Sequence, residues 1–155
     1  MKARIESERI PAGDDPDFHM KLGRGGMADI EWTIQLLQLS HAADDQSLRS
    51  PSTLAALDRL VEAKLLDRED GASLAASYAF CATIRNRLFL QAGRVRDSLP
   101  SDPLEVTRLA RSLDYEQNPR ASLREEYRRL TRRARRVVDR VFYGTANRHG
   151  EDSSR

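Results

Sequence analysis

The stretch 21-KLGRGGMADIEWTIQLLQL-39 places three glycines within four residues, directly before a long apolar-rich run. At roughly 100° per residue of an α-helix, the apolar residues of this run fall on two nearly opposite sides: Ile30, Ile34 and Leu37 on one, and Trp32, Leu36 and Leu39 on the other. A helix that is apolar on two sides packs against more than one neighbour. The run therefore predicts a central helix over about residues 27–43.

A narrow polar stripe of Glu31, Gln35 and Gln38 runs between the two apolar sides. Polar side chains on a central helix have to meet water, a partner domain or internal hydrogen-bond donors. Asp29 and Glu31 form an acid-x-acid pair, but side chains two residues apart on a helix diverge by roughly 200°. These two carboxylates therefore cannot share one ion, and the sequence predicts no metal site here.

The glycine turn before this helix has two interpretations. Gly23, Gly25 and Gly26 can supply a backbone conformation and a close approach that other residues do not allow. Alternatively, free amides at the helix start, with Lys21 and Arg24 beside them, can hold an anion such as a nucleotide phosphate. The spacing is not that of a Walker loop, and no strand pattern precedes it.

Four further segments outside this stretch repeat apolar residues every three or four positions, and none alternates as a half-buried strand does. Start and stop signals place these helices after Ser50-Pro51-Ser52, from Asp67 to about Arg96, from Asp102-Pro103 to about Leu113, and from Ala121 to Tyr143 with Gly144 as its end. The sequence therefore predicts an all-α bundle of about five main helices plus an N-terminal helical stub.

One helical domain is expected over residues 1–144, in which residues 1–26 form a lead-in helix and the glycine-rich loop. Residues 145–155 are polar and are expected to be disordered. No apolar run of about 18 residues is present, so no membrane span is expected. The N-terminus carries no leader pattern, and a cytoplasmic location is expected.

Arg85 falls within the apolar face predicted for the third main helix. A buried guanidinium needs a carboxylate partner, and Asp29 or Glu31 is the expected one. The alternative is that Arg85 extends its charged end to the edge of the bundle. The same face holds Cys81, the single cysteine of the chain, which is expected to be a buried and unreactive thiol.

The last predicted helix is long, amphipathic and rich in arginine. Over residues 120–140 it has nine arginines against three acidic residues, although the whole chain has a net charge of only +2. Such a face can dock on an acidic partner or bind phosphates, and Arg128, Arg132, Arg135 and Arg136 are the docking candidates. Aromatic residues for base stacking are missing from the arginine side, so a nucleic-acid-binding bundle is the third alternative.

The stretch 21–39 resembles the K-x-G-x-G-G-[ILM]-x-[DE]-[IV]-E-[FW] signature of glutamine synthetase adenylyltransferases, which the uridylyltransferases of the signalling protein PII share in looser form. The resemblance covers about residues 1–144, and the flanking segments that carry it are MKARIESERIP, LRSPSTLAALDRLVEAKLL, IRNRLFLQAGRVRDSLPSDP and EEYRRLTRRARRVVDRVFYG. Trp32 and the arginine-rich ending look most like the C-terminal, adenylylating half of the enzyme.

In that family, each catalytic half is a nucleotidyltransferase domain followed by a helical domain, and the chain matches only the helical one. The resemblance implies a parent enzyme that uses ATP and Mg²⁺ to transfer AMP to a tyrosine of glutamine synthetase. It also implies that this chain holds no catalytic residue and no tightly bound cofactor. Glutamine synthetase and PII are the expected partners, and a non-enzymatic docking module for either protein is the alternative function.

The candidates for contact with nucleotide or with the neighbouring catalytic domain come from the signature and from the polar stripe behind it. They are Lys21, Gly23, Arg24, Gly25, Gly26, Asp29, Glu31 and Gln35.

Overall fold

The computed structural model describes residues 10–41 and 43–151, with side chains up to residue 144. Within these ranges the chain forms five α-helices: α1 Met27–His41, α2 Thr53–Glu62, α3 Arg68–Ala92, α4 Pro103–Ser112 and α5 Pro119–Glu151. Short 3₁₀ helices occupy Pro16–Phe18 and Gln46–Leu48. The described residues contain no strand, only an isolated bridge between His19 and Ser98. The all-α prediction is confirmed, and the predicted N-terminal stub lies almost entirely outside the described residues.

Capping residues fix several helix ends. The Asp102 carboxylate accepts a hydrogen bond from the Leu104 amide at 3.1 Å, so α4 begins where the sequence predicts. Helix α3 ends at Ala92, because Gly93 adopts a left-handed conformation with φ 66°. The predicted end near Arg96 is therefore wrong, since Gly93 is the stop signal. No helix in the described ranges is both long and apolar enough to cross a membrane.

Helix α5 continues through Gly144 to Glu151. The prediction that Gly144 ends this helix is wrong, and the tail expected to be disordered is helical up to Glu151. A single glycine costs a helix about 1 kcal/mol relative to alanine, which does not stop a helix that is already long, because propagation is easy once nucleation has occurred. Residues 152–155 lie outside the described part of the chain.

Helix α1 contacts α2, α3 and α5, so the prediction of a central helix is confirmed. Its buried side includes Ile30, Ile34 and Leu37, as predicted. The second apolar side differs from the prediction, since Leu39 is 83% exposed and Trp32 and Leu36 are only partly buried. The periodicity correctly predicts the buried side, but it does not say whether the second apolar side packs within this chain.

A buried polar layer separates two apolar clusters of the core. One cluster contains Met27, Cys81 and Tyr127, and the other contains Ile30, Leu74 and Ala134. On each of the three helices that cross this boundary, a buried polar residue lies between the two clusters: Asp29 on α1, Ser77 on α3 and Thr131 on α5. The glycine turn is inserted at this layer.

Candidate functional site

Most amides of the glycine turn are satisfied inside the chain. Six of them, all between Leu22 and Ala28, donate hydrogen bonds of 2.7 to 3.0 Å to acceptors on His19, Met20, Lys21, Gly23 and Asp29. An amide that already donates to a protein acceptor has no free hydrogen for a ligand. The hypothesis that free turn amides bind an anion is therefore wrong for these six positions.

Gly25 shows why the turn needs glycine. Its φ is +73°, and a Cβ at this position would collide with the carbonyl oxygen of Thr131 on α5. Its own carbonyl accepts a hydrogen bond from the buried Ser77 hydroxyl at 2.9 Å. The turn is thus held between α3 and α5, as the structural interpretation of the glycines expects.

Asp29 belongs to this internal arrangement and is only 3% exposed. Its Oδ2 accepts hydrogen bonds from the Gly25 amide and from Arg135 Nη1, both at 2.8 Å. Arg135 Nε also lies 2.8 Å from Asp139 Oδ1. Burial alone would lower the pKa of Arg135, but the two carboxylates outweigh it and the pKa lies above its ordinary value.

Arg135 is therefore an internal residue of the bundle. Its side chain is 15% exposed and is tied to Asp29 and Asp139. The prediction that Arg135 is a docking residue is therefore wrong, because its guanidinium binds the buried Asp29, which lies near the other end of the sequence. Helical periodicity places Arg135 correctly on α5, but it cannot identify a partner 106 residues away.

Arg85 pairs with a residue that the sequence analysis did not consider. Its Nε donates to Asp97 Oδ1 at 2.6 Å, in the loop between α3 and α4, and its side chain is 26% exposed. The expected pairing with Asp29 or Glu31 is wrong. The Asp97 carbonyl also accepts the Met20 amide at 2.7 Å, so this ion pair secures the loop against the segment that enters the glycine turn.

The remaining candidate residues lie at the surface. Lys21, Arg24 and Gln35 are exposed, and Glu31 is partly exposed. Glu31 Oε1 accepts a hydrogen bond from the Tyr78 hydroxyl at 3.2 Å. Glu31 and Gln35 are four residues apart and therefore lie on the same face of α1. The candidate site thus divides into an internal set of glycines with Asp29, and a surface set of charged and polar side chains.

The surface set continues into the second apolar side of α1. We define the outer face of α1 as Trp32, Gln35, Leu36 and Leu39. A groove of about 820 Å³ adjoins it, and its lining includes Gln35, Leu39 and Pro51. Gln38, the last member of the predicted polar stripe, is used internally, because its amide donates to the Leu48 carbonyl at 2.7 Å.

Helix α5 presents the other surface that the sequence analysis singled out. Arg128, Arg132 and Arg136 are exposed and follow each other at intervals of four residues, so they form one line along the helix. The Arg128 guanidinium lies 4.8 Å from the centroid of the Phe18 ring, a cation–π contact. We call this line of three residues the arginine face.

His19 is a structural residue of the site that the sequence analysis missed. It is 1% exposed, and its Nδ1 accepts a hydrogen bond from the Leu22 amide at 3.0 Å. Burial lowers the pKa of His19, against the opposing effects of Asp97 and Asp14. A lone histidine in a loop has no spacing pattern, so nothing in the sequence marks it.

Comparison with known proteins identifies the class of this fold and site. The family model described as GlnD PII-uridylyltransferase matches residues 1–144, and the chain belongs to that family. Its relatives named bifunctional glutamine synthetase adenylyltransferase/adenylyl-removing enzyme include those of Streptomyces avermitilis, 46% identical over 144 residues, Nocardia farcinica, 46% over 143, and Leifsonia xyli, 43% over 148.

The three alignments cover nearly the whole chain but little of each relative. They include 93%, 92% and 96% of this chain and 14%, 14% and 15% of the Streptomyces, Nocardia and Leifsonia proteins, respectively. The chain is thus similar to one segment of these enzymes. The names of these relatives agree with the resemblance of residues 21–39 to the adenylyltransferase signature.

Proposed function

We propose that this chain is the helical domain of a glutamine synthetase adenylyltransferase, an enzyme that transfers AMP from ATP to a tyrosine of glutamine synthetase. In this proposal the helical domain supports a nucleotidyltransferase domain through the outer face of α1 and the surface set beside it. The chemistry belongs to that other domain, and the enzyme works in the cytoplasm.

The observation that carries the proposal is the exposed apolar surface of the central helix. Leu39 is 83% exposed although it lies on the helix that contacts three others. The charged and polar side chains of Lys21, Arg24 and Gln35 are exposed in the same signature segment. An apolar centre with polar surroundings is typical of an interface between domains.

The two acidic residues of the signature are already engaged within the chain. The Asp29 carboxylate is occupied by Gly25 and Arg135, and Glu31 accepts from Tyr78. No group of three or more histidine, cysteine or acidic side chains that could ligate a metal is found in the part of the chain described. These contacts support our proposal that ATP and Mg²⁺ bind to the other domain.

The test uses the complete enzyme that contains this domain. We expect Leu39→Ser to lower AMP transfer to glutamine synthetase by about tenfold, because roughly 1.4 kcal/mol of interface energy corresponds to a factor of ten. Leu90→Ser is the matched control, since Leu90 is 73% exposed at the other end of the bundle, on α3. Equal activity of the two variants would contradict the role of the outer face.

The charged residues are tested separately. Lys21→Ala and Glu31→Ala should each lower transfer activity while the thermal unfolding temperature stays close to that of the unmodified enzyme. Glu62→Ala is the control, because Glu62 is an exposed acidic residue on α2. Unchanged kinetics in both Lys21→Ala and Glu31→Ala would count against any functional role of the surface set.

The arginine face supports a second candidate function, the docking of an acidic protein. Glutamine synthetase and PII are the candidate partners. Local clustering of exposed guanidinium groups attracts a negative surface and accelerates association. We expect Arg132→Glu/Arg136→Glu to weaken binding of the chain to the partner, measured by calorimetry at two salt concentrations, and Arg87→Glu on α3 to leave it unchanged. Binding to duplex DNA in place of either protein would favour the nucleic-acid alternative.

A further inference from the structure

A cleft of about 800 Å³ lies between α4 and the beginning of α5. Arg111, Arg120 and Arg124 line it together with the hydroxyl-bearing residues Ser101 and Thr107, and no acidic residue is among its lining residues. This composition differs from that of the neighbouring cleft at His19, whose lining mixes arginines with aspartates.

The three arginines of this cleft have no carboxylate partner within the described residues, where other arginines do. Arg96 is 2.7 Å from Glu105, and Arg140 is 2.6 Å from Asp70. Arg124 Nε is buried and has no hydrogen-bond acceptor in the described part of the chain. Because this atom is shielded from solvent, a ligand can reach only the exposed part of the Arg124 guanidinium, together with the exposed side chains of Arg111 and Arg120.

Arg124 is also held in place. Its guanidinium carbon lies 5.1 Å from the centroid of the Phe18 ring, which is 3% exposed. Stacking on a fixed aromatic ring reduces the entropy that this side chain would lose on binding a ligand. The first turn of α5 has no acidic residue, so no carboxylate of that turn competes with a bound anion.

We propose that the α4–α5 cleft binds a phosphate-type oxyanion, either free phosphate or the phosphate group of a small molecule. The planar guanidinium fork matches phosphate oxygens in a bidentate manner, and the Ser101 hydroxyl can add a further donor. This site is separate from the outer face of α1, and it does not depend on the proposed transfer function.

The test is a titration of the 155-residue chain at constant ionic strength with inorganic phosphate, pyrophosphate and AMP, followed by calorimetry and backbone NMR shifts. We expect saturable binding, with the shifts concentrated in residues 101–124. Phosphate and AMP binding with equal affinity would identify the phosphate as the recognised group, and tighter AMP binding would identify a nucleotide as the source.

Matched variants decide the outcome. Arg120 is exposed, so Arg120→Gln should keep the fold. Loss of the guanidinium should weaken phosphate binding by about tenfold, as expected for a hydrogen bond to a charged group. Arg124→Lys keeps the charge but removes the fork, and should weaken binding as well. Arg87→Gln is the control, because it removes an exposed charge from α3. Non-saturating shifts, or the same loss in Arg87→Gln as in Arg120→Gln, would overturn the proposal.

Discussion

Arg135 on α5 donates a hydrogen bond to the carboxylate of Asp29 on α1 at 2.8 Å, although the two residues lie 106 positions apart. The same carboxylate oxygen accepts the amide of Gly25. One buried acidic side chain thus joins the glycine turn, the central helix and the last helix. The signature residue Asp29 therefore has a structural role within the bundle.

Breaking this pair should cost much more stability than breaking an exposed one. Asp29→Asn leaves a guanidinium that is 15% exposed without its buried partner, and we expect a loss of about 3 kcal/mol in the free energy of unfolding. Arg140→Gln breaks the pair with Asp70, in which Arg140 is 62% exposed, and should cost below about 1 kcal/mol. Urea unfolding followed by circular dichroism measures both, and similar losses would refute the internal role of Asp29.

Gly25 and Gly93 make it possible to separate the stability cost of a left-handed backbone from the cost of close packing. Both have positive φ, +73° and +66°, but only Gly25 lies against another helix, since nothing is within 4 Å of a Cβ built at Gly93. Gly93→Ala should cost about 1–2 kcal/mol for the left-handed conformation. Gly25→Ala should cost about 1–3 kcal/mol more for overpacking against Thr131. Thermal unfolding of the two variants tests this difference, and equal unfolding temperatures would show that contact with α5 is unimportant.

Local signals in the sequence predicted most of the fold. Helical periodicity and capping residues such as Asp102 depend on neighbours within one or two turns, so the number and order of the main helices followed from them. The helix ends predicted at Arg96 and Gly144 are wrong because a glycine ends a helix when its backbone adopts the left-handed conformation, which the sequence does not reveal. Gly93 does so, and Gly144 has no positive φ.

The candidate site was less predictable, because its contacts are long-range. The sequence identified Asp29, Arg85 and Arg135 as charged residues on helices, but it assigned none of them its partner in the structure. Those partners are Asp97 for Arg85 and the pair Asp29–Arg135 itself. Which charges meet depends on how helices far apart in the chain are packed, and periodicity within one helix contains no such information.

Cys81 provides a direct probe of the core. The thiol is 0% exposed, and burial raises its pKa to about 12. Because the thiolate is the reactive form, we expect a disulfide reagent at pH 8 to modify the folded chain only as fast as the core opens. The rate should rise to that of a free thiol in urea concentrations that unfold the protein. Rapid modification of the folded chain would contradict the burial of Cys81.

His19 should make stability depend on pH near neutrality. Burial lowers its folded-state pKa below the ordinary value of 6.5, despite the nearby Asp97 and Asp14. Its Nδ1 accepts the Leu22 amide, and protonation of that nitrogen would remove the acceptor. The unfolded state therefore binds a proton at a higher pH than the folded state does. The stabilisation is complete above pH 6.5 and is lost as the pH falls through the folded-state pKa.

The pH dependence of the free energy of unfolding can be measured, and one substitution should remove the contribution of His19 to it. One proton gives at most about 1.4 kcal/mol per pH unit, so urea unfolding should show the free energy falling as the pH is lowered from 7 to 5. His19→Asn offers a side-chain oxygen that can accept the Leu22 amide but does not titrate. We expect this variant to have a flatter pH profile over the same range, while acid unfolding by carboxylate protonation below about pH 4 is retained. An identical slope in His19→Asn would assign the effect to other groups, because His19 would then contribute no differential proton binding.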